Sequence, residues 1–310
     1  GGTGKTPMVV FLARRLLGSG LRPVVVSRGY RGAAERSGGI VSDGRRMRMS
    51  AQEAGDEPWM IARLLRGVPV VVGSDRYRAG RIAQRLFSPD LVLLDDGFQH
   101  LRLRRDLDFL LFDAADPLGN GRIFPRGLLR EPVGAAFRAD AVVLTRSSGP
   151  DEPIPAVLEK IPGLAGKPVF RAVHTPRLRG IVPPGAAFLE KQKNPDAETL
   201  TKVRVFAFSG IARNESFHRS IRELGGRPAA VKRFPDHHRY SSRERVELDR
   251  AAGRAGADLL ATTEKDFARL GGRNPFTMAL AVVGVDLSLR SGERRLDRLL
   301  SANVGRRRRD

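Results

Sequence analysis

The chain of 310 residues contains no cysteine, few aromatic residues and no long hydrophobic run. The lack of cysteine excludes disulfides and thiolate metal sites, and it fits a reducing compartment. No stretch approaches the roughly 18–20 apolar residues of a membrane-spanning helix. Aromatic residues make up 6% of the chain, with one tryptophan and three tyrosines. Basic patches interleaved with aromatics, which are typical of nucleic-acid-binding proteins, are therefore not indicated, and no nucleic-acid partner is expected.

Positive charge is abundant: the formal net charge is +21, and most of it comes from arginine. This balance favours anionic partners such as phosphorylated substrates, phospholipid head groups or nucleic acid. Arginine suits bidentate phosphate contacts better than lysine does. Biased codon usage would also produce evenly spread arginine, and the run of arginines at 306–309 is most simply a solvated tail, with attraction to a membrane surface as the alternative.

The first residues are typical of the second half of a phosphate-binding loop that continues into a helix. Glycines allow backbone N–H groups to turn toward an anion, and the positive end of the helix faces the same anion. Lys5 would then reach the β- and γ-phosphates, and the Thr6 hydroxyl would bind a magnesium ion. A flexible glycine-rich terminus is the alternative, but the helical pattern of residues 8–17 disfavours it. The predicted nucleotide-binding residues are Gly1, Gly2, Thr3, Gly4, Lys5 and Thr6.

Short runs of Val and Leu recur between helical stretches and predict a buried, mostly parallel sheet. The predicted strands of this part are residues 23–27, 68–72, 91–94, 107–112 and 141–144, with helices at 52–66 and 76–87. Pro and Gly crowd between 150 and 195 around one strand at 168–173, which indicates a linker. A second α/β unit follows, with strands at 203–208, 229–234, 259–262 and 278–285 and helices at 215–224 and 242–255.

Two adjacent acids, Asp95 and Asp96, end the apolar strand 91–94. In a chain with a phosphate loop, such a strand end is typical of a Walker B element that binds magnesium. The carboxyl ends of parallel strands are where ligands gather, and a divalent cation removes the repulsion between neighbouring carboxylates. A polar Asp-Asp-Gly turn is the alternative. His100, five residues after Asp95, is either a structural partner or a phosphate contact.

Other polar segments leave two interpretations open from spacing alone. Asp56 precedes a helical run, where it is either an N-cap or a general base for a hydroxyl substrate. His237 follows Asp236, an arrangement compatible with proton transfer, but more simply a loop. The segment 120–132 is either an anion clamp or a solvated turn, and the same ambiguity holds for the segment 27–32. The basic and polar residues in question are Asn120, Arg122, Arg126 and Arg130 in the first segment and Arg28 in the second.

Taken in order, these segments resemble one family, the tetraacyldisaccharide 4′-kinases, which phosphorylate the lipid A precursor of Gram-negative bacteria. The most specific of them is Asp95-Asp96-Gly97-Phe98-Gln99-His100. The resemblance covers nearly the whole chain. Its motifs are the segments 1–7, 27–30, 55–58, 72–76, 95–100, 120–122, 129–132, 208–212, 236–238 and 263–266.

The resemblance implies transfer of the ATP γ-phosphate to the 4′-hydroxyl of a tetraacyldisaccharide 1-phosphate, which gives lipid IVA. It implies ATP and Mg²⁺ as cofactors, a lipid substrate, and a membrane-surface location at the cytoplasmic face of the bacterial inner membrane. The implied fold is a P-loop NTPase-like, mostly parallel sheet domain plus a second, smaller α/β domain joined by a β-ribbon. With these boundaries we expect a P-loop kinase domain at 1–165, a linker at 166–200 and a domain at 201–310 that closes the active-site cleft.

The resemblance also assigns roles to residues. Asp56 is implied to be the catalytic base, assisted by a histidine of the second domain, for which we favour His237 over His238. The implied metal ligands are Thr6, Asp95, Asp96 and Glu131. The substrate residues are expected to be Arg28, Asn120, Arg122, Arg130 and His100.

Three departures from the family pattern stand out. The family has an N-terminal membrane segment and a strand before the phosphate loop, which this sequence lacks, so we expect the 310-residue chain to be a fragment with weak activity. Asn214 stands where the family often has proline, and Leu128 stands where it commonly has the proline of Gly-Pro-Leu-Arg-Glu. The alternative function is that of another P-loop NTPase without a lipid acceptor. A nucleic-acid-binding protein is a more distant alternative.

Overall fold

The computed structural model describes residues 2–187 and 200–306, the side chains of 305 and 306 excepted. The helices of these ranges are α1 Lys5–Gly18, α2 Ala51–Ala54, α3 Asp56–Leu64, α4 Arg76–Phe87, α5 Ala156–Glu159, α6 Asn214–Glu223, α7 Ser242–Arg254, α8 Glu264–Arg269 and α9 Glu293–Arg306. The strands are β1 Pro23–Ser27, β2 Gly39–Ser42, β3 Val70–Val72, β4 Leu91–Leu94, β5 Phe109–Asp113, β6 Ala141–Thr145, β7 Val169–Val182, β8 Arg204–Ser209, β9 Arg227–Arg233, β10 Leu259–Thr263 and β11 Leu280–Leu289.

These elements form two compact units that are interleaved along the chain. Unit 1 comprises Gly1–Pro23, Pro89–Thr175 and Leu287–Asp310, and unit 2 comprises Val24–Ser88 and Pro176–Asp286. From the sequence we expect contiguous domains instead, at 1–165, 166–200 and 201–310. Those boundaries stay a prediction about folding domains, and residues 188–199 of the expected linker lie outside the described residues.

Unit 1 is built on parallel strands in the order β5-β6-β7, with Val142 opposite Val169 in the β6–β7 register. Helix α1 packs on this sheet because Met8, Leu12 and Leu16 recur every four residues and share one buried face. Helix α9 contributes Leu296, which is fully buried in the same core. The packing of α1 fixes the position of the loop that leads into it.

Unit 2 contains two groups of paired strands. The first has the order β2-β3-β1, in which β1 and β3 are parallel and fully buried and β2 is antiparallel. The second has the order β9-β8-β10-β11, with β8 parallel to both β9 and β10. Burial on both faces explains why β1 and β3 are continuous runs of valine rather than alternating patterns.

Local signals explain most of the element boundaries. Asp75 caps α4 by accepting the Arg78 N–H, and capping boxes start α2 at Ser50 and α7 at Ser241. Strand β1 and helix α4 have the predicted bounds. The predicted single helix at 52–66 was wrong: Gly55, at φ 89°, separates α2 from α3, and α3 ends at Leu64. No described helix is long and apolar enough to cross a bilayer.

Candidate active site

The phosphate loop in unit 1 runs into α1 through two glycines in the left-handed region. Gly2 has φ 84° and Gly4 has φ 92°, a conformation that favours glycine. Gly4 is the N-cap of α1, and no side chain caps this helix end. The first N–H groups of α1 thus keep their hydrogen-bonding capacity for an anion. Gly1, the first predicted loop residue, lies outside the described residues.

Two residues at the end of β6 hold the carbonyl groups of the loop. The Thr145 hydroxyl donates to Thr3 O at 2.9 Å. Arg146 donates to Gly2 O and to Asp113 Oδ2, both at 2.5 Å. These contacts turn the loop carbonyls toward the protein, which leaves the opposite side of the peptide units to a ligand.

A close approach explains why residue 4 is glycine. A Cβ atom built on Gly4 would lie 2.6 Å from His174 Nε2 and 3.4 Å from Thr145 Cγ2. A side chain at this position would therefore displace His174, which lies on β7. His174 and Thr145 therefore leave room only for the backbone of the loop at this position.

Lys5 lies in a small cluster of charged side chains. Its Nζ is 3.6 Å from Asp96 Oδ1, and Arg130 Nη1 donates to Asp96 Oδ2 at 2.5 Å. Asp96 has φ 55°, so its carboxylate leaves the strand end in a different direction from an extended residue. Burial alone would raise the pKa of the Asp96 carboxyl, but the charges of Lys5 and Arg130 lower it overall. All these groups remain partly exposed.

The predicted metal ligands of the loop region are oxygen donors. Thr6 and Asp95 are both buried, at 6% and 2% exposure. Hydroxyl and carboxylate oxygens suit Mg²⁺, which usually takes one or two carboxylates together with substrate phosphates and water. The described residues contain no cluster of three or more acids, histidines or cysteines placed to hold a metal ion.

Glu131 has two protein partners. Both of its carboxylate oxygens accept hydrogen bonds from Arg138 Nη2 at 2.8 Å, and Oε1 also accepts one from Gln99 Nε2 at 2.8 Å. Arg138 in turn stacks on the Phe98 ring. The predicted metal role of Glu131 stays a prediction.

The predicted substrate residues fall in both units. His100 closes the turn after β4, where its N–H donates to Gly97 O. Asn120 and Arg122 belong to an exposed loop, in which the Asn120 side chain accepts from Arg122 N and donates to Arg126 O. Arg28 lies in unit 2 and donates to Glu35 Oε1 at 2.7 Å. Their roles stay predictions.

In unit 2, Asp56 begins α3 and faces a buried arginine. The N-cap of α3 is Gly55, so Asp56 does not serve as the N-cap. Arg269, on α8, donates to Asp56 Oδ2 from Nε at 2.9 Å and from Nη2 at 2.6 Å. The same guanidinium donates to Gly210 O and to Asp266 Oδ1 at 2.6 and 2.9 Å.

His237 completes this group. Its Nδ1 lies 3.5 Å from Asp56 Oδ2 and 3.3 Å from Arg269 Nη2. The residue has φ 62°, and its N–H donates to Gly210 O, so the turn holds the ring in place. The ring also meets the edge of Tyr30 at a centroid distance of 5.9 Å. His238 faces elsewhere, since its Nε2 lies 2.9 Å from Glu244 Oε1 and its ring stacks on Phe234.

The surrounding charges determine the protonation of Asp56. Burial would raise the pKa of its carboxyl, but His237, Arg269 and Lys265 together hold that pKa well below its usual value. Asp56 is therefore ionised at neutral pH, in a fixed orientation next to the imidazole of His237. In the same unit, Tyr240 donates to Asp266 at 2.9 Å, and burial beside this carboxylate raises the pKa of the phenol.

Four residues that contact the phosphate loop of unit 1 or the Asp56–His237 pair of unit 2 were not predicted from the sequence: Thr145, Arg146, His174 and Arg269. For the first two a signal exists, because they follow the parallel strand β6, where functional side chains gather. His174 lies within β7 and carries no local signal. Arg269 follows Asp266 by three residues, one helical turn, but its partner Asp56 is 213 residues away in the sequence.

The two groups offer complementary chemistry. The loop in unit 1 presents uncapped N–H groups, a lysine and oxygen ligands, which together suit a nucleotide triphosphate with its metal. The pair in unit 2 presents an ionised carboxylate beside an imidazole, which suits acceptance of a proton from a hydroxyl group. Phosphoryl transfer to an alcohol needs both capabilities.

Comparisons with known proteins agree with this chemistry. A family model described as tetraacyldisaccharide-1-P 4′-kinase matches residues 1–304. A tetraacyldisaccharide 4′-kinase of Geobacter metallireducens is 47% identical over 271 residues, which are 87% of this chain and 76% of that protein. One from an Anaeromyxobacter species (strain Fw109-5) is 41% identical over 306 residues, 99% of this chain and 80% of that protein.

A solved structure shows the same fold. It is the crystal structure of LpxK from Aquifex aeolicus, described as an "apo" form in complex with ATP, with a TM-score of 0.73 and 32% identity. The match covers 98% of this chain and 85% of that one. The predicted fold class, a P-loop NTPase-like α/β fold with a mostly parallel sheet, is confirmed. The chain belongs to the tetraacyldisaccharide-1-P 4′-kinase family.

Proposed function

We propose that this protein transfers the γ-phosphate of ATP to the 4′-hydroxyl of a tetraacyldisaccharide 1-phosphate and so forms lipid IVA. The contact between Asp56 and His237 is the observation that carries the proposal. A phosphate loop alone is common to many nucleotide hydrolases. A partly buried carboxylate–imidazole pair is what a kinase with an alcohol acceptor needs in addition.

The residues of the phosphate loop bind and orient ATP. Lys5 and the N–H groups at the start of α1 neutralise the phosphate oxygens, on which charge accumulates during transfer. Arg130, which now pairs with Asp96, is a second cation for these oxygens. The arrangement places the catalytic effect mainly in position and electrostatics, as is usual for phosphoryl transfer.

Magnesium, when bound, would offset the negative charge of the phosphate oxygens. Thr6, Asp95 and Asp96 would hold it, and their hydroxyl and carboxylate oxygens fit this ion. Glu131 is a further candidate. The buried position of Thr6 and Asp95 keeps these donors in fixed orientation.

The Asp56–His237 pair takes the proton of the 4′-hydroxyl while the oxygen attacks the γ-phosphorus. The O–H bond breaks, a new P–O bond forms, and the bond to the β-phosphate oxygen of ADP breaks. Because neighbouring cations hold the pKa of Asp56 low, the carboxylate alone is a weak proton acceptor. Sharing the proton with His237, whose Nδ1 lies 3.5 Å from Asp56 Oδ2, offsets that weakness.

The substrate and the location extend this proposal. A tetraacylated disaccharide 1-phosphate is a membrane lipid with a negative head group. Arginine-rich surfaces attract such lipids, and this chain carries a net charge of +21. The proposed location is the cytoplasmic face of the bacterial inner membrane, at the membrane surface.

The test is transfer of labelled γ-phosphate from ATP to the detergent-dispersed disaccharide 1-phosphate by the full-length protein. We expect transfer by the parent and a loss of roughly 100-fold or more in Asp56→Ala and in His237→Ala, since that is the usual effect of removing a general base. His238→Gln is the matched control, because its ring faces Glu244 rather than Asp56. The transfer rate of this variant should fall less than about threefold, which is far less than the fall expected when a general base is removed.

Two results would contradict the proposal. ATP hydrolysis without any labelled lipid would place the protein among nucleotide hydrolases without a lipid acceptor. Equal losses in His237→Ala and His238→Gln, with both variants folded by circular dichroism, would remove the role of the Asp56–His237 pair.

A further inference from the structure

A loop of unit 1 holds large apolar side chains out of the protein. We name residues 120–129 the apolar loop. Phe124 is 76% exposed and Leu128 is 68% exposed, and Ile123 is exposed as well. Apolar residues exposed singly are ordinary, but three within six positions of one loop form a patch that indicates an interaction site.

The apolar loop is well structured. Phe124 N donates to Leu129 O at 2.8 Å, and Leu129 N donates to Arg122 O at 3.2 Å. Inside the loop, the Asn120 side chain donates to Arg126 O at 2.7 Å. A Cβ atom on Gly127 would lie 2.2 Å from both Arg122 O and Asn120 Oδ1, so glycine is needed there. The fold thus presents Phe124 and Leu128 to the outside in a fixed conformation.

Positive charge is interleaved with these apolar side chains. Arg122 and Arg126 are both exposed and alternate with the apolar residues. Within the ranges 2–187 and 200–306, neither guanidinium pairs with an acid. Apolar groups next to unpaired cations are the composition of segments that lie in the interface of an anionic bilayer.

We propose that the apolar loop docks on the surface of a bilayer containing anionic phospholipid. Phe124 and Leu128 enter the boundary between head groups and acyl chains, and Arg122 and Arg126 bind head-group phosphates. The inference rests on the proposed function, since a kinase of a membrane lipid works at such a surface. The loop leads directly to Arg130, which holds Asp96 beside Lys5, so the docked loop adjoins the phosphate site of unit 1.

The charge of the loop decides between a bilayer and a second copy of the chain. Two copies docked through this loop would bring like-charged arginines together, which opposes association. An anionic surface instead pairs each arginine with a phosphate. Charge complementarity therefore favours the bilayer.

The test is sedimentation of the protein with vesicles of phosphatidylcholine, with or without phosphatidylglycerol, in the absence of ATP and substrate. We expect binding only with phosphatidylglycerol and a roughly tenfold or greater loss in Phe124→Ser/Leu128→Ser, since both apolar contacts are removed. The matched control is Tyr77→Ser/Leu86→Ser on α4, whose side chains are similarly exposed. This control should bind as the parent does.

A second measurement reports the position of residue 124 itself. Phe124→Trp adds a tryptophan to a chain whose natural one, Trp59, is buried. Phosphatidylglycerol vesicles with brominated acyl chains should quench the new emission and leave the parent emission unchanged. Quenching that is equal in the parent and in Phe124→Trp would overturn the proposal.

Other outcomes separate the two proposals. Equal vesicle binding by the parent and the double serine variant overturns the docking assignment and leaves the kinase assignment untouched. A parent dimer in sedimentation velocity that dissociates in the double serine variant overturns it in favour of a second copy. Vesicle binding through the loop, in a protein that never labels the disaccharide, contradicts the proposed function but not the docking.

Discussion

The charged groups of the two units differ in how firmly the protein holds them. In unit 1, Asp96 lies between Lys5 and Arg130, and the Arg130 side chain is 54% exposed. In unit 2, Asp56 lies against Arg269, whose side chain is 6% exposed and also contacts Asp266 and Gly210. The first group is partly exposed to solvent, whereas the Arg269 side chain of the second is enclosed by its own partners.

The difference corresponds to two tasks. Exposed ion pairs stabilise a protein little, so Lys5 and Arg130 can exchange Asp96 for phosphate at small cost. A buried carboxylate needs its cation, because an uncompensated charge in the interior is strongly unfavourable. Unit 1 thus keeps its charges available to a ligand, while unit 2 keeps a proton acceptor in one orientation.

The largest expected effect follows from removing the buried cation. Arg269→Met leaves Asp56 and Asp266 without their shared partner, and we expect a loss of about 3–5 kcal/mol in the free energy of unfolding. Urea denaturation followed by circular dichroism measures this loss. Arg130→Met, the matched change in unit 1, should cost less than about 1 kcal/mol. Similar losses in the two variants would end the distinction between the units.

A smaller effect is expected in acid. The folded-state pKa of Asp56 is lowered, whereas in the unfolded chain it is near 3.9. A lowered folded pKa stabilises the fold fully above the unfolded pKa, and this stabilisation is lost as the pH falls below about 4 toward the folded pKa. The unfolding free energy of the parent should therefore decrease more steeply between about pH 5 and 2 than that of Asp56→Asn. Parallel pH profiles would contradict the assignment.

The sequence predicted the phosphate loop, the strand before Asp95 and most parallel strands, because these depend on local patterns. Helix α4 is an example: Asp75 caps its start and Ser88-Pro89 follows its end, so both of its bounds could be predicted from the sequence. Helix α9 was missed although Leu296, Leu299 and Leu300 have the spacing of one helix face, because the charged residues around them hid this pattern.

The candidate site was predictable only in part. Lys5, Thr6 and Asp95 carry local motifs, whereas Asp56 and His237 were selected by family resemblance rather than spacing. Their contact depends on tertiary packing, which brings α3 and the turn after β9 together across 181 positions of sequence. Arg269 was missed for the same physical reason, since its partner Asp56 is 213 residues away in the sequence.

The smallest expected effect on stability comes from Asp96→Asn, and it sharpens the comparison most. Asp96 pairs with Lys5 at 3.6 Å and with Arg130 at 2.5 Å, and all three side chains are partly exposed, so the change should cost only about 1 kcal/mol of unfolding free energy. If Asp96 also binds magnesium in the nucleotide complex, the same change should raise the magnesium concentration that gives half-maximal phosphate transfer. Thermal unfolding without ligand and a magnesium titration of transfer measure the two effects on one variant. A stable protein with an altered magnesium requirement is expected of a group kept for a ligand. A destabilised protein with an unaltered requirement would mean that Asp96 serves the fold, as Asp266 does in unit 2.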